Sequence, residues 1–260
     1  SGFRRSGGTT ICDGTPLGLG RNPKALKVIS ERTGLSIISA VGLYHRETWP
    51  YSYRNLSPEA LCESLVRETA GKSSGIPAGL LGEISTHNEQ GCWDYEEYSL
   101  LEHEAATLQG VAMAQQRTGL SIYLHAGLGR PGMAQLKVLE KAGAHINRVI
   151  VGHCDIQTNG DDEIDMAYYH ALLKQGAVLG FDLFSWSEMM SDQRRIQYVT
   201  ELINEGFTRQ LVISTDTCRL SHLHKYGGRG FDYLLTDIVP ALKGKGISEK
   251  DIQTILIKNP

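Results

Sequence analysis

The chain has 260 residues, of which 41% are hydrophobic and 21% charged, and its formal net charge is −3. This composition is ordinary for a soluble globular protein, and the slight negative charge argues against a nucleic-acid or anionic-membrane surface. The apolar runs are shorter than the roughly 20 residues that a membrane span needs. Since the cysteines show no paired spacing, we interpret them as free thiols of a reducing, cytoplasmic compartment. They are Cys12, Cys62, Cys92, Cys154 and Cys218.

Short apolar runs alternate with amphipathic helical patterns along the chain. Seven runs rich in Ile, Val and Leu predict strands buried on both faces, as in a parallel sheet. They span residues 9–14, 35–42, 78–84, 120–127, 148–154, 177–183 and 210–216. Helical patterns, each ending in glycine, lie at residues 57–71, 98–119, 133–143, 165–176 and 194–206. The first opens with Ser57, Pro58 and Glu59, an N-cap followed by proline in the first turn.

The repeated βα units predict an α/β fold with a parallel sheet, specifically a (β/α)8 TIM barrel. No linker, low-complexity tract or composition shift divides residues 1–260, so we predict a single domain. No Gly-x-Gly-x-x-Gly motif follows the first strand, and a dinucleotide-binding fold therefore lacks support. A barrel needs eight strands in about 250 residues, whereas seven are visible. We expect strand one to lie upstream of Ser1.

Four of the predicted strands end in a side chain that can bind a metal. The residues are Glu83, His125, His153 and Asp216, and the gaps between them correspond to one, one and two βα units. The carboxyl ends of barrel strands form one rim, where the active sites of this fold lie. We therefore expect these side chains to meet there.

Imidazole nitrogens and carboxylate oxygens are good ligands for zinc and similar divalent ions. Two bridged cations would lower the pKa of a bound water and polarise a carbonyl or phosphoryl oxygen. Asp216 could hold that water and take its proton. Taken singly, each histidine is better explained as a hydrogen-bonded loop residue, and each carboxylate as a helix cap or surface charge. Their joint occurrence in register favours the metal site.

Several segments resemble the phosphotriesterase-related family of the amidohydrolase superfamily. They are GGTTICDGTP (7–16), GLLGEIS (79–85), TGLSIYLHAG (118–127), VGHCD (151–155), STDTC (214–218), SHLHKYGGRGFDYLL (221–235) and ILIKNP (255–260). The resemblance implies a (β/α)8 barrel with a binuclear metal centre, expected to hold two Zn ions or Mn, Co or Fe in their place. His125 and His153 would bind one metal, and Asp216 would bind the other and serve as general base.

The chain departs from the family pattern at two places. Where some members have a carboxylated lysine that bridges the metals, this chain has Glu83, as in a glutamate-bridged subgroup. That difference puts phosphotriesterase activity in doubt. The His-x-His pair of strand one is missing, and we expect it upstream, on the missing strand. We interpret the pair His222 and His224, which follows the last strand, as loop structure.

Other residues are candidates for binding the substrate. Tyr44 follows a strand and, by the same resemblance, would lie beside the metals; the alternative is an aromatic wall residue. Arg219 and Arg229 could bind an anionic group, since a guanidinium suits planar carboxylates or phosphates; the alternative is ordinary surface charge. Asp182 could support a ligand histidine or cap a strand end. His45 and Trp49 are further candidates to line the pocket.

The leading hypothesis is a metal-dependent hydrolase that directs activated water at a lactone, ester or amide, with phosphoesters as a further class. Carboxyl-type substrates are favoured by analogy with the glutamate subgroup. The alternative is a non-catalytic or impaired barrel that binds a small ligand or partner, because the metal site is incomplete. We expect a small-molecule substrate and neither nucleic acid nor membrane as partner. Without strand one, unpaired sheet edges would favour a homodimer.

Overall fold

The computed structural model describes residues 2–87, 95–127, 130–156 and 165–260. Its strands are β1 (Thr10–Asp13), β2 (Ser36–Val41), β3 (Leu80–Ser85), β4 (Ile122–His125), β5 (Val149–Gly152), β6 (Val178–Phe181) and β7 (Leu211–Ile213). Its α-helices are α1 (Gly2–Arg5), α2 (Pro23–Thr33), α3 (Pro58–Thr69), α4 (Glu102–Thr118), α5 (Gly132–Lys141), α6 (Met166–Lys174), α7 (Asp192–Asn204), α8 (Val239–Gly244) and α9 (Glu249–Gln253). Leu234–Ile238 and Thr254–Lys258 are π-helical.

Every predicted strand run overlaps an observed strand, and each of the five predicted helices is present with bounds that differ by one to four residues at each end. The first of them begins as expected, because Ser57 Oγ accepts a hydrogen bond from the Ala60 amide at 3.3 Å. Helix α2 was not predicted, although Asn22 caps it and Gly34 ends it with φ 68°. Among the described residues, no helix is both long enough and apolar enough to cross a membrane.

The chain forms two compact units, which we call the first unit (residues 10–151 and 174–177) and the second unit (residues 1–9, 152–173 and 178–260). The single-domain assignment stays a prediction. The cysteines within the described ranges, Cys12, Cys62, Cys154 and Cys218, are free thiols, as expected; Cys92 lies outside them.

In the first unit, β1 to β4 pair in chain order, and all of these pairs are parallel. Helices α3 and α4 pack against each other, and the core contains Leu65, Leu81, Leu108, Val111, Ile122 and Leu124, all fully buried. The register of β3 against β4 shifts between Leu81 and Ile84. Gly42 follows β2, and a Cβ there would lie 2.4 Å from the carbonyl oxygen of Glu83. A glycine at 42 thus allows the backbone that carries Glu83 to approach closely.

In the second unit, β6 and β7 pair in parallel, with Leu179 opposite Leu211 and Phe181 opposite Ile213. The core of this unit contains Leu172, Phe181, Phe184, Val199, Leu202, Leu242 and Ile255, all fully buried. Helix α7 begins at Ser191, whose hydroxyl accepts a hydrogen bond from the Arg194 amide at 3.3 Å.

A buried ion pair fixes the segment that follows β6. Arg195 and Asp155 both have fully buried side chains, and Nε of Arg195 lies 2.7 Å from Oδ2 of Asp155. The remaining guanidinium nitrogens donate to the carbonyl oxygens of Met190 and Trp186 and to Asp192. Because a buried charge is stable only when paired and hydrogen-bonded, this arginine constrains the course of residues 186–192.

Replacing Arg195 with methionine should lower the free energy of unfolding by about 3–5 kcal/mol, because the buried Asp155 carboxyl would lose its cation and would have to carry an unpaired charge or take up a proton. Urea denaturation followed by circular dichroism measures the change. The neighbouring Arg194, whose guanidinium donates to Gln197 at 3.3 Å, provides the matched control. Arg194→Met should change stability by no more than about 0.5 kcal/mol. If both variants lost the same free energy of unfolding, the buried Arg195–Asp155 pair would contribute no more to stability than an exposed arginine.

Candidate active site

Glu83 lies at the irregular part of β3, in the first unit. Its amide donates to the carbonyl oxygen of Gly14 at 3.3 Å, and its Cγ lies 3.6 Å from the position of a Cβ on Gly14. An irregularity in a strand redirects side chains, and such features are frequent next to active sites. The predicted metal ligand Glu83 is therefore placed by a local departure from regular pairing.

His125, at the end of β4, has polar neighbours on both ring nitrogens. Its Nε2 lies 3.0 Å from the hydroxyl of Tyr44, and its Nδ1 lies 3.5 Å from Oγ of Ser85. The same serine oxygen is 3.3 Å from Nδ1 of His45. Burial lowers the pKa of His45, so its ring is mainly neutral near pH 7. Tyr44 thus contacts the candidate ligand His125.

A small cleft of about 60 Å³ opens beside this cluster. One wall is Glu104, a buried carboxylate that accepts hydrogen bonds from the amides of His87 and Leu101 and lies 3.0 Å from Nδ1 of His87. Another is Trp49, whose ring meets that of His103 edge-on at 5.9 Å. Burial lowers the pKa of His103 as well. The cleft has room for a few water molecules and combines carboxylate, imidazole and aromatic surfaces.

His153 follows β5 in the second unit and is held by Asp182. Both residues are buried, and Nδ1 of His153 lies 2.7 Å from Oδ1 of Asp182. The carboxylate also accepts the backbone amide of His153, at 3.1 and 3.0 Å to its two oxygens. A carboxylate on Nδ1 fixes the tautomer and ring orientation and directs Nε2 outward, which is the usual support of a metal-binding histidine.

Asp155 supports the segment that carries Asp182. Its two carboxylate oxygens accept the amides of Asp182 and Leu183 at 3.2 and 3.0 Å. Burial, and after it the Asp182 carboxylate, raise the pKa of Asp155 while Arg195 opposes them, and the resulting pKa is about 6. The arginine is thus what keeps this buried carboxyl ionised near neutral pH.

Asp216, predicted as ligand and general base, follows β7. Burial raises its pKa; His153 lowers it, Asp182 raises it and His222 lowers it. These influences place Asp216 in the electrostatic surroundings of the His153–Asp182 pair. A raised pKa makes a carboxylate a stronger proton acceptor, which suits a general base.

Two of the predicted ligands have strained backbones. His153 has φ 56° and Asp216 has φ 38°, in the left-handed region that non-glycine residues rarely occupy. Such conformations cost about 1–3 kcal/mol each and tend to cluster at functional sites. The strain supports a functional role for both residues independently of their chemistry.

The predicted substrate residues Arg219 and Arg229 lie on the exposed segment after β7. The Arg219 guanidinium is 4.7 Å from the ring centroid of Trp186, and that of Arg229 is 5.0 Å from the ring centroid of Tyr233. His222 and His224, predicted as loop structure, lie in the short 3-10 turns Leu220–His222 and His224–Tyr226. The substrate-binding roles of Tyr44, Arg219 and Arg229 stay predictions.

The contacts of His153 fit a role as metal ligand, whereas those of His125 do not. The His153–Asp182 pair has the form expected of a ligand with its support, whereas Tyr44 bonds the Nε2 of His125. Within the described ranges, no group of three or more His, Cys, Asp or Glu side chains is arranged to hold a metal ion.

Several residues that shape this site cannot be recognised from the sequence. One is Ser85, whose hydroxyl lies between the imidazoles of His45 and His125. In the sequence, nothing distinguishes Arg195 from its neighbour Arg194, and only the structure shows that Arg195 is buried. Trp186 could have been suspected, since an aromatic residue just beyond a strand end often lines a pocket.

Comparison with known proteins identifies relatives along the whole chain. A family model described as "Phosphotriesterase family" matches residues 1–260. A protein from Xenopus tropicalis called N-acetyltaurine hydrolase is 34% identical over 271 residues, covering 99% of this chain and 73% of the relative. A phosphotriesterase-related protein from Nematostella vectensis is 32% identical over 272 residues, with coverages of 99% and 73%.

Solved structures agree with these relatives. The phosphotriesterase homology protein of Escherichia coli, crystallised with phosphate in its active site, is similar at a TM-score of 0.89 and 26% identity, covering 100% of this chain and 85% of that one. A resiniferatoxin-binding protein from Rhodobacter sphaeroides has a TM-score of 0.85 and 26% identity, with coverages of 100% and 71%. The predicted α/β fold of the TIM-barrel class is thereby confirmed, with seven strands in the described residues. The chain belongs to the phosphotriesterase family of hydrolases.

Proposed function

We propose that this protein is a metal-dependent hydrolase that cleaves an amide, with esters and lactones as related carboxyl substrates. The observation that carries the proposal is the match of the phosphotriesterase family to the whole chain, residues 1–260. The name N-acetyltaurine hydrolase, given to a relative 34% identical, suggests an N-acetylated amine as the substrate class. Glu83 in place of lysine favours carboxyl over phosphoryl substrates by analogy with the family.

A divalent metal, zinc or else manganese, cobalt or iron, is part of the proposal. The proposed ligands are Glu83, His125, His153 and Asp216, all of which supply donor atoms that these ions accept. The support for this is the His153–Asp182 hydrogen bond and the strained backbones of His153 and Asp216. Since the Tyr44 hydroxyl bonds Nε2 of His125, that hydroxyl has to move before the nitrogen can bind a metal.

The protein's own groups have distinct roles in this proposal. Asp216 takes the proton of the attacking water and passes it to the leaving amine, which a carboxylate of raised pKa does readily. His153 is held in one tautomer by Asp182, so its orientation needs no change during the reaction. Tyr44, once its hydroxyl has left Nε2 of His125, donates a hydrogen bond to a substrate oxygen in this proposal.

A second candidate is a barrel that binds a small ligand without cleaving it. Two observations favour it: the described residues include no ready cluster of three metal-binding side chains, and a structural neighbour is described as a resiniferatoxin-binding protein. The two candidates differ in metal content and turnover.

The full-length protein, loaded with Zn²⁺ or Mn²⁺, should hydrolyse N-acetyltaurine or another member of a panel of N-acyl amines, lactones and phosphotriesters. Chelation should abolish turnover, and adding back metal should restore it. Asp216→Asn should lower kcat by about 100- to 10,000-fold, because the proton acceptor is lost. Asp237→Asn, at an exposed carboxylate that bonds Thr236, should leave kcat within about twofold. Absence of turnover on every class, with no bound metal, would favour the binding-only candidate.

Asp182→Asn should weaken metal binding by about 10- to 100-fold, because an amide no longer fixes the His153 tautomer. Competition with a chromogenic chelator measures the affinity, and circular dichroism checks the fold. Asp237→Asn again serves as control and should bind metal like the unaltered protein. An unchanged affinity in Asp182→Asn would refute the supporting role of this carboxylate.

A further inference from the structure

The segment that follows Asp216 is strongly basic in an acidic protein. Residues 217–231 contain Arg219, Lys225 and Arg229 and no aspartate or glutamate, although the chain as a whole carries a net charge of −3. We call these residues the basic segment. Concentrated positive charge beside a candidate proton acceptor raises the local concentration of anions.

Each cation of the basic segment lies over an aromatic ring. Arg219 is 4.7 Å from the centroid of Trp186, Lys225 is 5.4 Å from that of Tyr226, and Arg229 is 5.0 Å from that of Tyr233. Among the residues that the structure describes, none of the three cations forms an ion pair with a carboxylate. A ring positions a cation without neutralising its charge, whereas a carboxylate would neutralise it.

Trp186, beneath Arg219, is rigidly placed. It is 7% exposed, its indole N–H donates to the carbonyl oxygen of Thr215 at 3.1 Å, and its own carbonyl accepts from buried Arg195 at 3.1 Å. The ring of His222 meets it edge-on at 4.8 Å. Within the described part of the chain, Nδ1 of His222 is buried without a hydrogen-bond partner. We call the fixed indole of Trp186 and the adjoining ring of His222 the floor. An aromatic ring fixed by hydrogen bonds, next to a buried polar atom without a partner among the described residues, is more typical of a binding site than of an ordinary surface.

This floor adjoins the proposed proton acceptor. Thr215, whose carbonyl anchors the indole, directly precedes Asp216, and His222 is close enough to lower the pKa of Asp216. Arg219 is three residues from Asp216, so their Cα atoms are at most about 10 Å apart. Arg219 therefore lies on the same short stretch of backbone as the proposed proton acceptor.

We propose that Arg219, held over Trp186, binds a carboxylate or sulfonate at the end of the substrate remote from the scissile bond, and that Lys225 and Arg229 add to the positive potential there. The subsite makes the protein selective for anionic N-acyl amines over neutral ones. A guanidinium held by stacking is already oriented for two parallel hydrogen bonds to such an anion. This inference rests on the proposed function for the placement of the substrate.

Calorimetric titration of the full-length protein with propanesulfonate and with propanesulfonamide tests the subsite without requiring turnover. The anion should bind and the neutral isostere should bind at least about tenfold more weakly, as expected for loss of a charge-assisted contact. Arg219→Met should weaken propanesulfonate binding by about tenfold or more and leave the sulfonamide unaffected.

Arg209→Met is the matched control, because it removes the same charge from an exposed arginine just before β7, whereas Arg219 follows that strand. Its affinity for propanesulfonate should stay within about twofold of the unaltered protein. The subsite is overturned if the anion does not bind, if Arg219→Met binds it unchanged, or if Arg209→Met loses as much affinity. Selective binding of the anion without hydrolysis of any N-acyl amine would overturn the proposed function and leave the subsite standing.

Discussion

The hydrogen bond between Nδ1 of His153 and the carboxylate of Asp182 determines how the chemistry of the second unit can work. Both groups are buried, so the bond forms in a medium where electrostatic interactions are stronger than in water. Asp182 in turn depends on Asp155, which binds the backbone after β6, and Asp155 depends on Arg195 for its charge. The orientation of the His153 imidazole thus depends on three buried charged residues, Asp182, Asp155 and Arg195. We expect the loss of any of them to alter that orientation.

Such an arrangement favours function over stability. Buried ion pairs are often no more stabilising than well-packed apolar residues, because desolvation offsets most of the Coulomb energy. The left-handed backbones of His153 and Asp216 add strain of about 1–3 kcal/mol each. The second unit tolerates both because its core, built from Phe181, Val199 and Leu202 among others, is well buried. Preorganised polar groups are what a hydrolase needs when charge develops on its substrate.

The charges around Asp216 follow a different rule from those around His153. Arg195 is enclosed and neutralised, whereas Arg219 is exposed and rests on an aromatic ring. The first cation maintains structure, and the second remains available to a ligand. In the first unit, burial lowers the pKa of both His45 and His103, which disfavours positive charge on these two imidazoles of the cleft. The two units therefore present different electrostatic surfaces to small molecules.

Hydrophobic periodicity and glycine stops were sufficient to predict the seven strands and five helices. A strand buried on both faces requires a continuous apolar run, and a helix buried on one side requires apolar residues at helical spacing, so both patterns are visible in the sequence. Helix α2 carried the same signals in Asn22 and Gly34 and was overlooked. The residue types at the strand ends likewise predicted where polar chemistry would lie. The sequence could not tell Arg195 from Arg194, and it left open whether Asp182 supports a ligand histidine or caps a strand end, since these contacts join residues 29 to 40 positions apart. Only the tertiary structure decides such contacts, because burial and charge pairing depend on which strands and helices become neighbours in space.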